Sequence, residues 1–203
     1  MVLYVDNTKL MLLEKILKYL IENRNEYTNI NKISKELDTD YKNTFKTITN
    51  NKDLITKQKI GNINLIKINP IFNPKIFSVE YKRTSQFLKE NKKLELIKKD
   101  IENLNYPFLI VLLFGSYIKE TKTNKSDIDI CIISDNKEQL KKVISKLEIL
   151  PIKLEIHDFT TNEFESMIKT KEDNIGKEIV KKNIIFYGIE NYYNLILKWM
   201  KND

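Results

Sequence analysis

The chain has 203 residues, 41% apolar and 31% charged, with one cysteine, one histidine and a net charge of +7. That length suits one large domain or two small ones, and the single Cys131 excludes an internal disulfide and a cysteine-based zinc cluster. No apolar run approaches the roughly 18 residues of a membrane span, and the amino terminus lacks the basic start and cleavage site of a signal peptide, so the expected setting is cytoplasmic, with no membrane partner.

The charge is uneven along the chain. Residues 1–70 carry 12 Lys and Arg against 8 Asp and Glu, residues 71–106 carry 8 against 5, and residues 107–203 carry 15 against 15. A basic first part joined to a neutral second part suits a nucleic-acid-binding module beside a separate function. A composition rich in Lys, Ile and Asn is the other source of such an excess.

Thr8 fits the N-cap of a helix from Lys9 to about Asn23, with an apolar stripe of Leu10, Leu13, Ile16, Leu17 and Leu20. Asn29 or Asn31 caps a short second helix carrying Ile33 and Leu37, and Asp38-Thr39-Asp40 reads as a tight turn. A third helix covers about Tyr41 to Asn50, with Phe45 and Ile48 inward. Two short strands, Leu54–Ile60 and Ile63–Ile68, flank Gly61-Asn62 as a hairpin.

Helix, short helix, turn, helix and basic hairpin is the order of a winged helix-turn-helix, which residues 8–69 resemble. In that superfamily the third helix enters the major groove and the hairpin touches the backbone. The resemblance implies that Lys42, Asn43, Lys46, Thr47 and Asn50 face double-stranded DNA, with Lys57 and Lys59 on the wing. Amide side chains can read adenine edges and lysines can pair with phosphates; an exposed, merely solvated helix face has the same composition.

Pro74 to Asn105 is largely helical and charged, with Leu94, Leu96, Ile97, Ile101 and Leu104 as its apolar stripe. This gives an expected division into a winged helix over 1–70, a helical connector over 71–106 that packs on the following module, and a second domain over 107–203.

The second domain opens on Pro107–Phe114, apolar on both faces and so a covered central strand. Gly115 permits a sharp turn, and Ser116 starts a short helix whose free amides and hydroxyl can meet phosphate. After a ten-residue spacer comes Asp127-Ile128-Asp129-Ile130 in a second strand, Ser126–Ser134. Side chains two apart on a strand share a face roughly 7 Å apart, so Asp127 and Asp129 lie side by side opposite Ile128, Ile130 and Ile132. Paired carboxylates repel unless a cation or a proton intervenes, and magnesium takes hard oxygen ligands and shares them with phosphate. Cys131 reads as a small buried side chain.

A helix over 137–147 turns Leu140, Val143, Ile144 and Leu147 inward. Pro151 precedes an alternating strand with Lys153, Glu155 and His157 on one face. Glu155 is the third carboxylate if this strand lies beside the second, and a solvent-facing edge residue otherwise. His157, an exposed strand histidine near a polar site, reads as a bystander before it reads as a ligand. Thr160 and Glu163 form a capping box for a helix through Ile168. Ile184–Tyr187 before Gly188 reads as a strand, and Tyr192, Leu195, Ile196 and Trp199 face inward from a last helix.

Gly115-Ser116, the spacer and Asp127-Ile128-Asp129-Ile130 resemble the nucleotidyltransferase fold of the DNA polymerase beta superfamily, nearest its minimal archaeal and bacterial members. The likeness covers about residues 92–190 and makes the whole chain α+β, a winged helix followed by a mixed sheet flanked by helices. It implies that Asp127, Asp129 and Glu155 are catalytic and hold two Mg2+ ions, that Gly115 and Ser116 hold the terminal phosphates of ATP or another nucleoside triphosphate, and that a nucleotidyl group passes to a hydroxyl. Lys119, Lys125 and Ser126 in the spacer are the further nucleotide-binding candidates. The chain departs from the family pattern in Tyr117 and Glu120, where a basic residue and a glycine are common, and in carrying Glu155 where Asp is commoner. The partner candidates are the nucleotide, double-stranded DNA, a protein acceptor or toxin-like protein and a second copy in a homodimer; the acceptor is a protein, a small molecule or a nucleic acid. The rival reading is a DNA-binding transcriptional regulator whose second domain is inactive and senses nucleotide or mediates assembly.

Overall fold

The computed structural model describes residues 7–24, 26, 28–61, 63–69, 71–118 and 127–200, without the side chains of 7–9, 63 and 198–200. It divides into two compact units, Met1–Val79 and Glu80–Asp203. Among the described residues no helix is long and apolar enough to cross a membrane.

The first unit begins with α1 (Asn7–Glu22), which takes Thr8 into its first turn instead of leaving it as the cap. Leu13, Ile16, Leu17, Leu20 and Ile21 are buried, whereas Leu10 stays 40% exposed. Asn29 caps α2 (Ile30–Glu36) by accepting the Lys32 N–H at 2.9 Å, and Asp40 caps α3 (Tyr41–Thr49) by accepting the Asn43 N–H at 2.9 Å. Such caps satisfy amides that have no partner inside the helix. Between them Asp38 takes φ 48°, the left-handed turn that a short polar side chain tolerates.

The hairpin is β1 (Ile55–Ile60) and β2 (Ile63–Ile68), antiparallel, with Gly61 at φ 57° in the turn; Asn62 lies outside the described residues. β2 is also bridged to Thr28, whose carbonyl accepts the Ile66 N–H at 2.8 Å. Phe45 does not face inward: it is 40% exposed, and Thr44, Thr47 and Ile48 are the buried residues of that stretch. Its ring instead supports the Lys57 ammonium, 5.3 Å from the centroid, and stacks on Tyr41 at 6.3 Å.

The division between units falls inside α4 (Pro74–Glu90), and residues 80–106 belong to the second unit. Tyr193 Oη donates to Glu80 Oε1 at 2.7 Å, Arg83 pairs with the other Glu80 oxygen and donates to Asn183 O at 2.9 Å, and Thr84 Oγ1 donates to Ile185 O at 2.9 Å. Glu80 is fully buried, which is tolerable only because its charge is paired and hydrogen-bonded. On α5 (Lys93–Leu104), Leu94, Ile97 and Ile101 are buried, but Leu96, expected in the same stripe, is 61% exposed.

The second unit is built on a four-stranded mixed sheet in the order β5-β4-β3-β6. β3 (Ile110–Phe114) is antiparallel to β4 (Ile128–Ile133) and to β6 (Ile184–Tyr187), and β4 is parallel to β5 (Leu154–Phe159). The central strand starts at Ile110, not Pro107, because Phe108 turns the chain at φ 60° and leaves its ring 82% exposed. Val111, Leu113, Ile128, Ile130 and Ile132 on one face of the sheet pack with Leu94, Ile97 and Ile101 of α5 and with Val143 and Leu147 of α6 (Lys137–Glu148). Ile110, Leu112, Cys131 and Ile133 point the other way by alternation and are also buried. The helices α7 (Thr161–Lys169), α8 (Ile175–Lys181) and α9 (Ile189–Met200) pack beside β3 and β5. Tyr192, Leu195 and Ile196 are buried on α9; the side chain of Trp199 lies outside the described residues.

Candidate active site

β3 ends at Phe114, and Asp129 of β4 is its partner in register. The next residue, Gly115, has φ 73°, where a side chain is strained. It also has no room for one: a Cβ there would lie 1.9 Å from Asp129 Oδ2. The Ser116 N–H donates to the Asp129 carboxylate. Gly115 thus lets the bend close over Asp129, and Ser116 begins a single 3-10 turn, Ser116–Ile118, with its side chain exposed.

The third strand does lie beside the second. Asp129 pairs with Glu155 and Cys131 with His157, so alternation carries Lys153, Glu155 and His157 to the side of the sheet that holds Asp127 and Asp129. One ligand atom each from Asp129, Glu155 and His157 falls within 4.8 Å of the other two. His157 Nε2 is 3.3 Å from Glu155 Oε1, and its ring packs on Phe114 at 5.5 Å.

Asp127 stands outside that group, just before β4 begins. Its Oδ2 accepts a hydrogen bond from Lys153 Nζ at 2.7 Å, while its Oδ1 is buried with no hydrogen-bond partner among the described residues. Leaving a buried acceptor unpaired costs roughly 1–3 kcal/mol. Burial first, and then the charge of Glu155, push the Asp129 carboxyl above its ordinary value; His157 and the Ser116 N–H pull it back, and Glu178 of α8 adds to the upward push.

These features fit a divalent cation. A carboxylate whose proton affinity is raised by a neighbouring carboxylate wants positive charge beside it. The orphaned Asp127 oxygen is an open acceptor, and the Lys153 ammonium already stands as a cation against the other oxygen of that carboxylate. Asp127, Asp129, Glu155 and His157 are the residues that could hold the ion. Cys131 is not among them: it is fully buried in apolar surroundings, which drives its thiol pKa upward.

Of the other residues singled out from the sequence, Lys119, Lys125 and Ser126 lie outside the described residues. In the first unit Lys42, Asn43, Lys46 and Asn50 are exposed on or at the end of α3, and Lys57 and Lys59 are exposed on β1. Thr47 is buried at 9% exposure and is not part of that face. Three residues at the acidic site were not among the expected site residues. His157 and Lys153 carried a readable signal, since alternation along β5 puts them on the Glu155 face. Glu178 carried none, because only tertiary packing brings α8 to Asp129.

No curated protein and no solved structure matches the chain significantly. Residues 95–191, just under half of the chain, match the family model for polymerase beta, nucleotidyltransferase, which supports a nucleotidyltransferase domain of the polymerase beta superfamily over β3, β4, β5 and their helices.

Proposed function

We propose that the second unit transfers a nucleoside monophosphate, AMP from ATP, to an acceptor hydroxyl in a magnesium-dependent reaction. The observation that carries this reading is the convergence of Asp129 and Glu155 beside the Gly115 bend, on a strand pair with no structural need for facing carboxylates. When bound, two divalent ions would neutralise the phosphate oxygens and stabilise the attacking and leaving oxygens together.

The chain's own residues do the positioning. Asp127, Asp129 and Glu155 form the acidic wall, and Glu155, the most open of the three, accepts the proton of the attacking hydroxyl. That oxygen forms a bond to the α-phosphorus while the bond to pyrophosphate breaks, and the electron pair leaves with pyrophosphate. Gly115 and Ser116 abut the nucleotide, and Lys119, Lys125 and Ser126 of the spacer are the further candidates for binding its phosphates. Lys153, whose side chain is 82% exposed, swings from Asp127 toward phosphate at little cost.

The test uses the full chain, magnesium, cell extract as acceptor source, and ATP labelled at the α- or γ-phosphate. Label reaching an acceptor from the α-position only, and lost in Asp127→Asn and Asp129→Asn, supports nucleotidyl transfer. Transfer from the γ-position, or equal labelling by the variants, overturns it.

For the first unit we read the order α1, α2, α3, β1, β2 as a winged helix that contacts DNA through Lys42, Asn43, Lys46, Asn50, Lys57 and Lys59. Phosphate contacts release counterions, so log affinity falls with log salt by about 0.9 per contact. The pair Lys42→Ala and Lys46→Ala is expected to weaken duplex binding and reduce that slope by about 2. An unchanged slope removes α3 from the interface.

A further inference from the structure

We propose that His157 is a metal ligand: with Asp129 and Glu155 it binds Mn2+ or a later first-row divalent ion in preference to Mg2+. This rests on the metal-dependent reading above and sharpens it, because an imidazole nitrogen widens the preference for a transition-metal ion over Mg2+ beyond what carboxylates alone give.

Three donors of mixed kind converge here. Ligand atoms of Asp129, Glu155 and His157 lie within 4.8 Å of one another. Neighbouring ligands of an ion bound at roughly 2.1 Å are about 3 Å apart, so side-chain rotations of about an ångström close the set. The imidazole is already oriented, held against the Phe114 ring at 5.5 Å with Nε2 toward Glu155.

A simple ion pair between His157 and Glu155 does not account for the arrangement. The imidazole faces two carboxylates, and even a protonated ring would balance one of them. The Lys153 ammonium is engaged at Asp127, outside this group. A divalent ion balances both acids and uses the neutral ring as a donor, which is the form in which histidine ligates metals.

The identity of the ion follows from the nitrogen. Mg2+ keeps oxygen ligands and water and gains little from imidazole, whereas affinity for mixed nitrogen and oxygen sites rises along the first transition row. Any ion held mainly by the triphosphate would see only oxygens and remain magnesium. The two positions of the site are thus chemically unlike.

His157 is the one histidine of the chain, so isotope labelling identifies the ligand without a substitution. Full-length protein free of histidine tags, grown with 14N- or 15N-histidine, is loaded with Mn2+ and a non-hydrolysable ATP analogue and read by pulsed EPR. Only signals that change on labelling are counted, which sets aside the nucleotide's own nitrogens. The expected result is a nitrogen coupling from a directly bound imidazole that changes frequency with 15N. Mn2+ should also outcompete Mg2+ by about tenfold or more, and His157→Gln should narrow that preference while keeping its far-ultraviolet circular dichroism. Mn2+ held by the protein without a label-sensitive coupling overturns the His157 assignment and leaves the carboxylate reading intact. Mn2+ spectra identical in wild type and Asp129→Asn remove the metal site altogether, and the proposal with it.

Discussion

The two ends of the parallel β4–β5 pair use acidic residues in opposite ways. At the far end Asp135 accepts the Thr161 N–H and hydroxyl, each at 2.8 Å, and Glu163 accepts the Thr160 N–H at 2.7 Å in a capping box. Those hydrogen bonds hold the Glu163 carboxyl below its ordinary value. At the near end Asp129 is pushed above its ordinary value by burial and by Glu155. Glu163 at the far end therefore supports the fold as a carboxylate, while Asp129 at the near end opposes it. A fold keeps such opposed charges where function requires them.

Asp129→Asn tests this contrast most severely. Transfer activity should fall on the order of 10²–10³-fold, the usual loss when a preorganised electrostatic group is removed. Metal-free stability should move the other way. A raised carboxyl pKa gives stability that is complete below the unfolded value of 3.8 and is lost as pH climbs through the folded value. Asparagine mimics the protonated form, so the variant melts higher than wild type at neutral pH in EDTA and loses that advantage well below pH 3.8. Divalent ions should stabilise wild type and leave the variant unmoved. A variant that melts lower in EDTA at neutral pH would break the comparison.

The glycine at each end sharpens it. Gly115 and Gly188 share positive φ, at 73° and 77°, but a Cβ at Gly115 meets the Asp129 carboxylate and one at Gly188 meets the Leu109 carbonyl at 2.1 Å. Gly115→Ala displaces a side chain, so activity should drop nearly as far as in Asp129→Asn, with a stability cost of about 1–2 kcal/mol from backbone strain. Gly188→Ala meets main chain that cannot step aside. It should cost roughly 1–3 kcal/mol while the folded fraction keeps its specific activity. Melting curves and transfer rates on the same preparations separate the two.

Much of this geometry follows from local periodicity. Alternation along β4 and β5 places Asp129 and Glu155 on one side, and the capping box at Thr160 and the strand end at Gly188 are fixed within a few residues of sequence. What escaped was set by distant partners. Glu80 and Arg83 look like surface charges on α4 and are buried because Tyr193 and Asn183 meet them. Phe45 was expected in the core and is instead 40% exposed, where its ring meets Lys57 of the hairpin. Glu178 reaches Asp129 only through the packing of α8. Lys153 and His157 were legible as neighbours of Glu155; what alternation could not supply was that Lys153 engages Asp127 and that His157 closes on two acids at once.

The smallest effects belong to the far end. Thr160→Ala removes the cap of α7 and should cost about 1 kcal/mol without altering transfer, since it lies at the opposite end of the strand pair from Asp129. Glu163→Gln probes the same box through pH. A depressed carboxyl pKa gives stability present above the unfolded value of 4.5 and lost as pH falls through the folded value. Wild type should hold its advantage over Glu163→Gln at neutral pH and surrender it in acid, the reverse of the Asp129→Asn profile. If the two variants shift with pH in the same direction, the carboxylates at the two ends are not in opposite environments, and the near end loses its physical claim to be a site held open for a cation.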